Sequence, residues 1–108
     1  MREIRQNEQD LIAFLLSSLG LDAQNHPFNS QVDEYEGGKM GSISLGGNPD
    51  EYDRDLIQVR YIDADYVPVI ITLTVDSKNQ LLDLDFWKED FSKLLVYPTV
   101  EKVTIISQ

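Results

Sequence analysis

Between Leu56 and Phe86 three strand-like segments follow one another with almost nothing between them, and this constrains the fold more than any other part of the chain. In Leu56–Ile62 the apolar residues Ile57, Val59 and Tyr61 fall on alternate positions, the period of a half-buried strand. Val67–Val75 is apolar along one face through Val67, Val69, Ile71, Leu73 and Val75. Its other face carries Ile70, Thr72 and Thr74, which suits a central strand. Gln80–Phe86 alternates again. The connections are Asp63-Ala64-Asp65 and Asp76-Ser77-Lys78-Asn79, whereas a parallel pairing needs a crossover of about a dozen residues or more. These segments therefore have to pair antiparallel.

The flanking segments complete an α+β pattern. Asn7–Leu19 reads as a helix: Leu11, Ile12, Leu15, Leu16 and Leu19 recur at helical spacing, Asn7 can cap the first turn, and Gly20 can end the last. Asp10 falls where a capping box needs an acid, and Glu8 adds negative charge at the positive end of the helix dipole. Residues 22–30 lack periodicity and contain Pro27, so they connect. Gln31–Glu36 reads as a strand, Gly37-Gly38 as a two-residue hairpin turn, and Lys39–Leu45 as the returning partner. Past Phe86 the pattern predicts a short helical turn near Phe91–Leu95, a stop at Pro98, and a last strand over Val103–Ile106. The expectation is a single α+β domain over 1–108, its N-terminal helix packed on an antiparallel sheet of five or six strands.

With 108 residues, 42% of them hydrophobic, the chain can bury about two-thirds of its unfolded surface without a disulfide or a structural metal. There is no cysteine, which removes thiolate catalysis and Cys-based zinc sites. No apolar run approaches the ~20 residues of a membrane-spanning helix. The N-terminus is charged and lacks a secretory core, so cytoplasm is the expected location. Charge is the strongest bulk signal. Nineteen acids against nine bases give −10, all of it within residues 22–90, where fifteen acids face five bases. A field of that sign disfavours nucleic acid and anionic membranes as partners and favours basic proteins.

The glycine-rich segment Gly37–Gly47, GGKMGSISLGG, raises the question of a phosphate loop. Such a loop needs a helix immediately after its glycines, but Ser42-Ile43-Ser44-Leu45 alternates like a strand and the Walker spacing is missing. It reads as a hairpin in which Gly41 marks a bulge or a close backbone approach. Asp63 and Asp65 lie where aspartates form turns, and the residues after them lack the ligand pattern of a calcium loop. His26, the only histidine, has no partner in the sequence for a zinc site or a triad and is expected at the surface. No cofactor or metal is implied.

The richest stretch is Leu81–Phe91, LLDLDFWKEDF. Alternation sends Leu82, Leu84 and Phe86 inward and Asp83 and Asp85 outward. If the strand continues, Trp87 joins the two aspartates on the outer face, and tryptophan is enriched at binding hot spots. If instead the chain turns at Trp87, then Trp87, Phe91, Leu94 and Leu95 share a helical face that closes the core. The usual fate of large aromatics favours burial.

GGKMGSI (37–43) and LLDLDFWKEDFSKL (81–94), behind a helix opening NEQDLI, resemble a family of small bacterial proteins catalogued as a domain of unknown function. Such proteins look like the immunity proteins encoded beside polymorphic toxins. Where that family places a glycine in the Asp-rich turn, this chain has Tyr66, which is uncomfortable if the turn needs positive φ. The resemblance carries over no catalytic residue. With the acidic charge it points to a non-catalytic module that masks a basic toxin; the residues themselves offer Asp63, Asp65, Asp83, Asp85 and Trp87 as the partner-binding candidates. The competing readings are a carboxylate- or metal-dependent hydrolase and a homo-oligomer paired through an edge strand.

Overall fold

A computed structural model describes all 108 residues. One helix, α1 (Gln6–Ser18), accompanies seven strands: β1 (Arg2–Glu3), β2 (Gln31–Glu34), β3 (Ile43–Ser44), β4 (Tyr52–Ile62), β5 (Pro68–Asp76), β6 (Leu81–Lys88) and β7 (Thr104–Ser107). They form one antiparallel sheet in the order β1-β2-β3-β6-β5-β4-β7. The fold class is the expected one. The sheet is wider than the alternation showed because β1, two residues long, adds itself at one end.

Short connections fix the centre. β4, β5 and β6 meander, and their inward residues register across the sheet as Tyr61–Val69–Lys88, Val59–Ile71–Phe86 and Ile57–Leu73–Leu84. The apolar members are buried and share one core with Leu11, Ile12, Leu15 and Leu16 of α1. Each such side chain contributes roughly 1.5–3 kcal/mol of burial. At the start of β6 a register shift between Leu73 and Val75 brings Leu81 into the core, while Leu82 is buried outside its main cluster.

Both helix ends are closed, but not all by the residues the sequence suggested. Arg5 rather than Asn7 is the N-cap, and its amide donates to the Glu8 carboxylate at 2.8 Å. Glu8 in turn takes two bonds from Arg2, at 2.9 and 2.7 Å, so β1 is tied to the helix it precedes. At the other end Gly20 is left-handed (φ 72), and the Gly20 and Leu21 amides bond back to Ser17 and Leu16, closing the last turn as a Schellman motif.

Three further expectations change. The β2–β3 hairpin exists, but its connection is not a two-residue turn: residues 36–41 loop out, with Glu36, Gly37 and Gly38 all at positive φ. No helical turn forms over Phe91–Leu95; β6 continues to Lys88, and residues 91–95 run irregularly over the end of the sheet. His26 is buried rather than exposed, and its Nδ1 has no hydrogen-bond partner.

Candidate functional site

β3 is short, and the site follows from that. Its two residues pair only with Leu84 and Asp83 of β6; to one side the Leu45 and Gly47 amides still bond the Leu82 and Leu81 carbonyls, but beyond Leu84 towards Lys88 no strand pairs with this edge. There the Ser42 hydroxyl replaces a strand partner, accepting from the Phe86 amide at 2.8 Å. The loop before Ser42 folds back at Gly41 (φ 100), where a Cβ would come within 3.3 Å of Leu94 and 3.5 Å of Phe86. This is the close backbone approach expected of that glycine.

The result is a groove of about 500 Å³ on the outer side of the sheet, lined among others by Tyr35, Glu36, Asp83, Asp85, Trp87 and Phe91. Because β6 keeps its alternation to Lys88, Trp87 points outward and is 48% exposed. The expectation that it closes the core is therefore corrected. It packs instead on Phe91, with ring centroids 6.1 Å apart.

The electrostatics of the groove are one-sided. The Tyr35 hydroxyl donates to Asp83 at 2.6 Å, and the Ser42 hydroxyl lies 3.2 Å from the Asp85 carboxylate. No basic residue lines the groove, and no ion pair reaches either aspartate. Burial raises the pKa of Asp83, and the like charge of Asp85 adds to this against the hydrogen bond from Tyr35. Burial and the bond to Asp83 push the Tyr35 hydroxyl up to about 12.

Asp63 and Asp65 lie elsewhere. Lys88, next along β6 from Trp87, points inward and is completely buried. Its ammonium donates to Asp63 at 2.9 Å, Asp65 at 2.8 Å and the Lys93 carbonyl at 2.9 Å, which satisfies all three protons. Asp63 also accepts from the amides of Ala64, Leu95 and Val96. Burial acts to raise its pKa, but these amides and the ammonium outweigh it and hold the carboxyl below its usual range. Asp63 is thus a buried fastening, and Asp65 completes it from the rim with a one-third exposed side chain. The five candidates separate into a groove trio, Asp83, Asp85 and Trp87, and a structural pair behind the sheet.

Sequence reading missed Tyr35, Glu36 and Phe91 as groove residues, and Lys88 as the buried cation. The signal for Lys88 was present: Leu84, Phe86 and Lys88 continue one alternation, and a turn bearing two aspartates offers a partner.

Fold and groove together define a small α+β domain, with a helix on one face of the sheet and an acidic, aromatic groove on the other. The chain belongs to the family of the domain of unknown function DUF6984, whose model matches residues 1–98 and so ends before β7. No curated protein and no solved structure matches it.

Proposed function

We propose that the protein is a non-catalytic binding module that holds a basic protein partner on its outer groove. One observation carries this reading: Asp83 and Asp85 stand without a counter-cation beside a half-exposed tryptophan. A carboxylate pair on a central strand is unfavourable for the free protein, since like charges repel and aspartate is a poor strand residue. A cationic partner relieves that cost, and the −10 net charge steers it in.

The finer proposal is that the partner is a basic toxin, silenced in the cytoplasm by having its substrate surface covered. Charge sign and the likeness to immunity proteins support it; the family itself has no assigned function. A hydrolase has less support. Asp63 is committed to Lys88 and three backbone amides, and nowhere do three His, Asp or Glu side chains converge as metal ligands.

The test is a kinetic comparison using the partner that the wild-type protein captures from its source cells. Charge reversal of Asp83 and Asp85 to lysine slows association and flattens its salt dependence. Reversal of Asp50 and Asp53, outside the groove, changes the net charge equally but slows association less, since charges far from the contact are screened by salt. Unchanged association of the groove variant sinks the proposal.

A further inference from the structure

Resting on that reading, we infer that the groove takes a single arginine side chain of the partner, its guanidinium laid against Trp87 and its donors shared between Asp83 and Asp85. The case begins with what each carboxylate lacks. Elsewhere the buried acids are fully served: Glu8 has two bonds from Arg2 and one from the Arg5 amide, Asp63 has Lys88 and three amides, and Asp76 has the amides of Asn48, Lys78 and Gln80. A carboxylate offers about four acceptor sites. Asp83, half-buried, receives only the Tyr35 hydroxyl on its side chain, and Asp85, exposed, only Ser42, whose single proton is equally close to the Phe86 carbonyl.

The aromatic half of the groove makes the second, independent case. Trp87 is half exposed and braced by Phe91, a 59% exposed residue held at φ 61. Left-handed backbone at a bulky residue is strained, and such strain clusters at functional sites. An indole at water next to anions is a platform for a cation, and tryptophan is the best of the rings for that purpose.

Arginine fits this pair of features better than other cations. Aspartates two residues apart on one strand face are separated by about 6.6 Å along the strand, and a planar fork with five donors can address both while it stacks. The point charge of lysine cannot do both. Calcium requires six or more oxygens, and no third carboxylate converges with these two as a ligand. None of the chain's own arginines occupies the groove. Arg2 bonds Glu8 and Glu34, Arg5 faces Glu34 as an ion pair at 3.9 Å, and Arg54 bonds Asp53. Arg60 registers with Ile70, which registers with Trp87, placing it two strand spacings from the tryptophan, about 9.6 Å.

Trp87 is the only tryptophan in the chain, so its fluorescence reports the groove alone. The probes are acetyl-Gly-Arg-Gly-amide and the same peptide with neutral, nearly isosteric citrulline or with lysine in place of arginine. We expect a saturable change with the arginine peptide, and binding at least about tenfold weaker for citrulline, for lysine and in D83N/D85N, whose fold is checked by circular dichroism. Equal responses to arginine and citrulline, or no response to arginine, overturn the inference using the wild-type protein alone. If D83K/D85K still slows association of the captured partner in that case, the binding module stands and only its arginine anchor falls.

Discussion

Tyr66 occupies a position that a glycine would fill with less strain. It closes the β4–β5 turn at φ 65, its amide bonding back to the Asp63 carbonyl, and its ring is 87% exposed. Left-handed backbone costs an L-residue roughly 1–2 kcal/mol, and glycine returns part of that gain through its looser unfolded state. Tyr66→Gly is expected to stabilise the protein by about 0.5–1 kcal/mol in urea unfolding; destabilisation would mean the ring makes a contact that matters. The discomfort at Tyr66 was legible only through the resemblance, in which a glycine stands in that Asp-rich turn. The similar strain at Phe91 was not, since nothing local marks that residue as left-handed. The strand before it ends only where Lys88 finds its distant partners.

At the scale of elements, the fastening around Lys88 holds three pieces together: the β4–β5 turn, the end of β6 and the crossing segment 93–96. Its two sides are not equivalent. Without Lys88, Asp63 keeps three backbone donors; without Asp63, those amides lose their acceptor and a buried ammonium is left with Asp65 and one carbonyl. We therefore expect Asp63→Ala to cost about 3–5 kcal/mol and Lys88→Met clearly less in chemical denaturation. The reverse order would show that the ammonium organises the site. The meander, the helix stripe and its glycine end were readable because each rests on periodicity or a short connection. The long 36–41 loop and the depth of Asp63 were not, because each depends on partners far away in the chain.

Over the whole molecule the carboxylates divide by the sign of their shifts. Asp63, Glu8, Asp76 and Asp90 are held low: burial opposes this at each but yields to amides and Lys88 at Asp63 and to Arg2 and the Arg5 amide at Glu8, while the Asn48 amide leads at Asp76 and the Ser92 hydroxyl at Asp90. Their stabilisation is complete above the ordinary carboxylate pKa of about 4 and is lost as pH falls below it. Asp83 runs the other way: raised chiefly by burial, it favours the fold when protonated and loses that contribution as pH rises. Four groups outweigh one, so the thermal midpoint should fall below about pH 4; a midpoint unchanged to pH 2.5 contradicts these assignments. At neutral pH Asp83→Asn should raise the midpoint of the free protein, since it removes an unneutralised charge and keeps an acceptor for Tyr35. A residue that costs the free fold and serves a ligand is what a binding site requires.

The most direct measurement is a chemical-shift map of the ¹⁵N-labelled protein titrated with the single-arginine peptide. The predicted map is confined to the Trp87 indole N–H, the amides of Asp83–Trp87, and the Tyr35–Ser42 loop that walls the groove. Shifts spread over the acidic 50–55 segment or the Asp63 turn, or none at saturating peptide, would contradict a groove built to receive a cation.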